Sequence, residues 1–297
     1  MAETVAVIGR NGQLARELAD LEWPTGIRPR FLGKGEINLF DAGDIYAQLA
    51  TLEPIAIVNT AAHTAVDLAQ SEPVLATQLN AEAPAYIAAA ADLLEIPFLH
   101  VSSDYVFSGS QQAAYGEDDA TRPLSVYGQS KLAGEKALLA SGVRCLIVRS
   151  AGLFGRHGQN ILKTVLRRAS GPLPLAMVAD QVSTPTPAAA LARILQSLAF
   201  DLAQGRALPS HLHIAGQPAV SWFDFAAAAF AALSEAGYSP PCQLAPMRLA
   251  DLGRPAPRPR NSALDCRLAE SLGYTMPDWR AALPALVTQL GKERAAA

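Results

Sequence analysis

Tyr127 and Lys131 lie four positions apart in the run Tyr127-Gly128-Gln129-Ser130-Lys131, which enters a segment with helical character. Residues four apart share a helix face, so a phenol and an ammonium point the same way. A phenol ordinarily titrates near a pKa of about 10. A neighbouring cation stabilises the phenolate and lowers that value. Such a phenol can hand a proton to a carbonyl oxygen that receives hydride. The ammonium can also hold the ribose of a hydride carrier. Upstream, Ser102 and Ser103 end an apolar run, and a hydroxyl there could hydrogen-bond and polarise the same carbonyl. Ser103, Tyr127 and Lys131 are the expected catalytic group.

A hydride carrier needs a seat for its diphosphate. The first apolar run of the chain is followed at once by Gly9, Arg10, Asn11, Gly12, Gln13, Leu14 and Ala15, and then by a helical pattern. A strand, a glycine turn and a helix start form an anion site. The backbone can approach a pyrophosphate closely, and free N–H groups with the helix dipole stabilise its charge. Ala15 stands where a third glycine is common and still allows tight helix–strand packing. The second strand ends Leu32-Gly33-Lys34-Gly35 with no acid before Glu36. An acid at that strand end would favour NAD. Lys34 and Arg10 could instead face a 2′-phosphate, which tilts the expectation from NADH towards NADPH.

The elements that must position these residues alternate. Strands are expected at 5–9, 29–33, 55–59, 98–102 and 145–149, with Ala/Leu-rich helices at 13–21, 42–52, 72–94 and 126–140. Several strands are unbroken apolar runs, as strands buried on both faces should be. The expected fold is α/β: a Rossmann-type doubly wound parallel sheet with a smaller, mixed α/β substrate-binding subdomain. Residues 1–150 would form the NAD(P)-binding domain, and 151–297 mainly the substrate side. Later segments, about 187–220, would return to the first domain. After residue 150 Pro and Gly become dense, marking loops with fixed turns. Thr186-Pro187 reads as an N-cap with proline in the first helical position. Ser221 with Asp224 resembles a capping box opening a helix to about Ala236. Beyond the short end 294–297 there is no low-complexity tail.

Bulk properties narrow the partners. The chain has 297 residues, and with 50% hydrophobic and 17% charged residues it has the composition of a packed globular protein. A formal net charge of -3 gives no footprint for nucleic acid or an anionic membrane, so an anionic substrate must be gripped locally. Cys145, Cys242 and Cys266 are far apart and lack metal-ligand spacing, which suits reduced thiols. The N-terminal run lacks the basic flank of a signal peptide, and no apolar stretch reaches the ~20 residues of a bilayer span. A cytoplasmic protein is expected, with a homodimer as one possible assembly.

Together these motifs resemble the dTDP-4-dehydrorhamnose reductases, within the extended short-chain dehydrogenase/reductase superfamily. The resemblance covers nearly the whole chain. It rests on the glycine loop, on Asn59-Thr60-Ala61-Ala62-His63-Thr64-Ala65-Val66-Asp67, on Ser102-Ser103-Asp104-Tyr105-Val106-Phe107 and on Val126-Tyr127-Gly128-Gln129-Ser130-Lys131. Later stretches at Asp180-Gln181, Thr184-Pro185-Thr186 and Arg258-Pro259-Arg260-Asn261-Ser262-Ala263-Leu264-Asp265 add to it. The resemblance implies NAD(P)H-dependent reduction of the 4-keto group of a nucleotide-linked 6-deoxy-hexulose. Ser103 would hold the hydroxyl position of the catalytic triad, usually Thr, with Tyr127 as proton donor and Lys131 its partner. Ala61, Ala62, Thr64 and Val101 would line the cofactor. Asn38 and Leu39 would do so too, Asn38 standing where an acid often meets the adenine amino group. Asp104, Tyr105 and Phe107 would frame the sugar. Arg258, with Asn261, is the candidate for the nucleotide phosphates, since a guanidinium fork suits a pyrophosphate. A loop-stabilising ion pair is the other reading of Arg258.

Three departures stand out. Gly152 replaces an aromatic that packs on the sugar in the family. Ala189 stands where some members have a glutamate that, with a partner matching Glu17, holds a bridging metal, so no metal is expected. His63 is read as a loop residue near the cofactor. A nucleotide-sugar dehydratase or epimerase is an alternative, but a dehydratase would need a glutamate where Tyr105 stands. A non-catalytic NADP-binding regulatory subunit is another, against which Tyr127 and Lys131 both speak.

Overall fold

The computed structural model describes residues 2–295; Met1 and the last two alanines of the 294–297 end lie outside the described residues. Its centre is a six-stranded sheet. Five strands come from the first half: β1 (Glu3–Ile8), β2 (Ile27–Leu32), β3 (Ala56–Asn59), β4 (Phe98–Ser103) and β5 (Cys145–Ser150). The sixth, His211–His213, pairs with the outer edge of β5. Every pairing is parallel, and the spatial order is His211–His213, β5, β4, β3, β1, β2. The apolar runs Val5–Ile8 and Ala56–Asn59 are buried throughout, because helices cover both faces.

One face is covered by α1 (Gln13–Ala19) and helix Ala188–Ala203, which pack on Val5, Val7, Val58 and Leu146. The other is covered by α2 (Ala42–Leu52) and helix Ala83–Leu93, over Ala6, Ile8, Ile57 and Ile147. Alternate residues of β1 thus serve opposite cores, as a period of two requires. A further core gathers Phe154, Leu162, Phe225, Trp279, Leu283 and Val287 from the second half of the chain. Two-strand pairs, Leu175–Val178 with Leu244–Met247 and Val182–Ser183 with Val220–Ser221, lie on that side.

The local differences from the sequence expectation have causes. β2 starts at Ile27, not at residue 29, because it pairs from Glu3↔Ile27 onwards. It is an edge strand with alternating exposure, so Pro29 costs it no ladder bond on its solvent side. The single helix expected over 72–94 is broken into Pro73–Thr77, a π-helical turn Gln78–Glu82, and Ala83–Leu93. Pro84 has no N–H for the carbonyl of Asn80, four residues back. A bulge there is the usual accommodation. Helix 188–203 begins after Pro187, which has no side-chain cap bond. Thr186 is not its N-cap; its hydroxyl donates to the Thr184 carbonyl and accepts from Gly216 N. Ser221 does cap its helix, accepting Asp224 N at 3.0 Å.

Helix Val126–Ala140 opens on Ser125, whose side chain accepts Gly128 N. It is bound to the sheet by a buried ion pair. Arg149 on β5 grips Glu135 through Nε (3.0 Å) and Nη2 (2.7 Å), and Ser102 Oγ on β4 donates to the same carboxylate. His211, whose Nε2 lies 3.6 Å from the same carboxylate, together with these bonds outweighs the desolvation that opposes them and holds the Glu135 carboxyl at about 2, below its ordinary 4.5. A depressed carboxylate contributes stability above its ordinary value and loses it as pH falls towards the folded value. Removing one partner of a buried pair leaves the other uncompensated, at about 3–5 kcal/mol. Glu135→Ala should therefore lower the urea-unfolding free energy by that amount. A loss under about 1 kcal/mol would show that the pair holds nothing together.

Candidate functional site

The first connection, through α1, leads from β1 to β2 on one side, and the next returns to β3 on the other. At such a switch point the carboxyl ends of the strands open a crevice. Here it is a cavity of about 1360 Å³, lined from Gly9 to Leu14 at one end and by Ser103, Tyr127 and Lys131 at the other. Gly9 has φ +113°, and a Cβ on it would sit 2.7 Å from Thr60 Oγ1 and 2.9 Å from Ala61 N. Only glycine lets β1 turn this close to β3. Gly12 precedes α1 without a side-chain cap, and a Cβ on it would touch only the Gly9 carbonyl. That open backbone fits a diphosphate.

All the residues expected on the cofactor side line this cavity: Arg10, Asn11 and Gln13 in the loop, Asn38 and Leu39 after β2, Ala61, Ala62 and Thr64 after β3, and Val101 in β4. The sequence reading did not include Leu32 to Ile37 in the wall, although it marked Lys34. Glu36 turns back on the end of β2, where Gly33 N donates to it at 2.8 Å and Arg10 pairs with it. Arg10 also donates from Nη2 to the Phe31 carbonyl at 2.7 Å, which pins it across that strand end. Lys34 is exposed on the rim.

At the other end Tyr127 is 9% exposed and Lys131 1% exposed. The lysine does not reach for the phenol. Its Nζ donates to the Val101 carbonyl at 2.8 Å and lies 3.1 Å from His100 Nε2. Burial pushes Lys131 down to about 8, against the opposing pull of Glu135. Burial also pushes the Tyr127 phenol up to about 12, with a Ser103 hydrogen bond working against it and the Asp104 charge adding to it. The expected lowering of the phenol by Lys131 is thus not met in this arrangement, because desolvation wins and the cation is turned to the strand. Ser103 Oγ donates to Asp104 Oδ1 at 3.0 Å, and Tyr105 stands edge-on to Tyr127 with centroids 5.6 Å apart. Asp104 is buried, and desolvation raises its carboxyl to about 6 despite bonds from Ser262 and Ser103.

A smaller cavity of about 190 Å³ adjoins the large one, sharing Asp104, Tyr105, Gly152 and Leu153 with it. Its other walls are Ile161, Gln181, Ser183, Trp222 and Ser262. Of these, Gln181 and Ser262 lay in motifs singled out from the sequence. Phe107, Arg258 and Asn261 line neither cavity. Phe107 is fully buried, stacked on Tyr115 at 4.3 Å with Arg149 over its ring. Arg258 pairs with Asp67 at 2.9 Å and donates to the Ala256 carbonyl, the loop-stabilising arrangement. Asn261 donates to the carbonyls of Gln111, Gln112 and Ala113 and so staples a loop. His63 bonds Asn80 and Glu72 beside the cavity wall. Glu17, Asp20 and His157 bring ligand-type atoms within 4.8 Å of one another, but Arg156 already pairs with Asp20.

The family model described as the RmlD substrate binding domain matches residues 3–292. The chain belongs to this family of dTDP-4-dehydrorhamnose reductases. The dTDP-4-dehydrorhamnose reductase of Aggregatibacter actinomycetemcomitans is 35% identical, over 93% of this chain and 96% of that protein. Its counterpart from Streptomyces griseus is 36% identical, over 96% of this chain and 95% of that one. A crystal structure of the Bacillus anthracis dTDP-4-dehydrorhamnose reductase, in complex with NADP, superposes with a TM-score of 0.89. It is 28% identical and covers 97% of this chain and 100% of its own.

Within the family, Gly152 is the departure with a visible answer. It has φ +54°, and a Cβ there would lie 2.7 Å from the Trp222 ring and 3.3 Å from Pro185 Cα. The space beside the strand end is filled by an indole from another helix. The cradle at Gly9 gives a direct test of the cofactor end. Gly9→Ala combines a strained φ with a clash against β3, so it should weaken nicotinamide dinucleotide binding at least tenfold, read by calorimetry. Undiminished affinity would mean that the dinucleotide rests elsewhere.

Proposed function

We propose that the chain reduces the 4-keto group of dTDP-4-dehydrorhamnose or a close nucleotide-linked 6-deoxy-hexulose, with NADPH as the preferred reductant. It is a nicotinamide-dependent sugar-nucleotide oxidoreductase. The observation that carries the residue assignment is that Ser103 and Tyr127 line the dinucleotide-sized crevice beside Asp104 and Tyr105, the residues it shares with a small adjoining pocket. When bound, the nicotinamide supplies the hydride to the carbonyl carbon. Tyr127 is assigned as donor of the proton that the carbonyl oxygen takes up. Ser103 is assigned to hydrogen-bond that oxygen; to do so its hydroxyl must turn from Asp104, which it bonds in this structure. Lys131 is assigned to return a proton to the phenolate; to do so its Nζ must swing towards the phenol from the Val101 carbonyl, which it bonds in this structure. With the phenol at about 12 and the lysine at about 8, that transfer runs downhill.

The choice of NADPH is supported by Arg10 and Lys34 at the end of β2 and by the NADP-bound relative. Arg10 already neutralises Glu36, so the acid that folds back on the end of β2 is occupied rather than offered to a 2′-hydroxyl. The proposed division of labour gives the sheet, with the strand His211–His213 and helix Ala188–Ala203, to the cofactor and the core around Phe225 and Trp279 to the sugar. On the sugar side Asp104, Gln181, Ser183 and Ser262 offer polar contacts, and Trp222 offers an aromatic face.

NADPH and NADH oxidation with dTDP-4-dehydrorhamnose tests the whole reading. Tyr127→Phe should lose about 10²–10⁴-fold in kcat, the usual worth of a general acid, while still binding NADPH. Full turnover in that variant, or turnover with no keto-sugar nucleotide by the parent enzyme, would overturn the assignment. Trp222→Ala removes an aromatic face worth about 0.5–1.5 kcal/mol. KM for the sugar nucleotide should rise about tenfold with little change in cofactor affinity. An unchanged KM would take Trp222 out of the pocket.

A further inference from the structure

We propose that His100 is a positioning residue for the reductase, fixed as the Nε2–H tautomer so that it donates to the Lys131 amine and stabilises the uncharged state of that lysine. The inference rests on the reading of Tyr127 and Lys131 given above, and deepens it. It follows from counting donors along one buried chain of contacts. Ala61 N is a donor, and it bonds Asn59 Oδ1 at 3.0 Å. That fixes the Asn59 amide, so Nδ2, also a donor, faces His100 Nδ1 at 3.1 Å. Nδ1 must therefore accept, and in a neutral imidazole the proton then sits on Nε2. Nε2–H points at Lys131 Nζ, 3.1 Å away. An ammonium there would set two donors against each other; an amine accepts the bond and still donates to the Val101 carbonyl at 2.8 Å.

Nothing lets the imidazole evade this choice. His100 is fully buried in β4, so no solvent reaches it to satisfy a misplaced proton. A charged imidazolium is excluded by burial and by the nearby lysine, both of which drive its pKa well below the usual value. The charged or titratable groups around Lys131 are few. Tyr127 and Glu135 lie on its own helix and His100 faces it from β4. The Glu135 charge is already spent on Arg149 of β5, at 2.7 Å. The ladder from Ala61 to Lys131 thus ties the cofactor wall after β3 to the lysine through two side chains.

The chemical consequence is a lysine that can hold either charge state. Once Tyr127 has given its proton to the new hydroxyl of the product, the phenolate takes one from the Lys131 ammonium. The phenol is restored, the lysine is left as the amine, and His100 receives it without itself gaining or losing a proton. Lys131 regains its proton from solvent that enters the cavity it lines. His100 touches neither substrate nor cofactor; its effect passes through Lys131.

The test uses the full-length enzyme with its cofactor and sugar nucleotide. In ¹⁵N-histidine-labelled enzyme at neutral pH, His100 should show a protonated Nε2 and a bare Nδ1. A bare Nε2 would overturn the proposal. In His100→Phe the amine loses its donor, so the high-pH fall of kcat should move upward by about half to one unit, the size of one net hydrogen bond. His100→Gln, which can present an amide N–H at the same place, should keep the parent profile. A limb that stays put in the phenylalanine variant, or moves equally in both, would sink it. NADPH binding and circular dichroism confirm that each variant folds. Lys131→Met separates this idea from the one beneath it: unchanged turnover there would remove the lysine itself from the mechanism.

Discussion

A cation packed between a helix and a parallel strand has few places to put its bonds. Lys131 lies against β4 and is bonded by Val101 and His100. Around it the molecule spends its buried polarity to hold that helix in register: Glu135 with Arg149 and Ser102 one turn further on, and Asn80 with Ser130 across the neighbouring helix at 2.9 Å. Each contact is made by a side chain that burial would otherwise penalise. The placement of Tyr127 depends on this seam. If the helix slid by one turn, the phenol would leave the wall of the large cavity and the carboxylate would lose its guanidinium. The Tyr127 end of the crevice is therefore set by electrostatics inside the core, and the Gly9 end by backbone shape.

Much of this arrangement is legible in the sequence, for a physical reason. Unbroken apolar runs mark buried parallel strands, and their carboxyl ends are where a doubly wound fold opens. The run after the first strand, the Ser102-Ser103 strand end and the Tyr127/Lys131 pair therefore carry their own addresses. The glycine loop is equally plain, because φ +113° beside Thr60 tolerates nothing else. The legible part ends where long-range pairing decides. Arg258 has the chemistry of a phosphate ligand, yet Asp67, 191 residues away, claims its guanidinium. Phe107 reads as a pocket aromatic only until Tyr115 and Arg149 close over it. The π-helical turn at Asn80 was signalled by Pro84, but a proline inside an alanine-rich helix carries little weight until the close approach of Gly134 to the Asn80 carbonyl is known.

The charge states of the site show the same limit. Spacing alone suggests a phenol eased by its lysine, whereas burial in the folded chain moves the phenol up and the lysine down. Proximity along a helix fixes which groups share a face. It does not fix which of them the lysine prefers, and here a strand carbonyl and an imidazole win.

Trp222 is held edge-on by Phe225 at 5.8 Å, and Phe225 in turn meets Phe154 and Trp279 at 5.1 and 5.4 Å. An aromatic rooted at Gly152 would have answered to the strand end beside it. Rooted here, the indole inherits its tilt from a stack that runs through the interior to the helix that begins at Trp279. Under the proposed reading sugar preference becomes a property of remote packing: trimming a ring in that stack would retune the pocket without any change to the residues that face it.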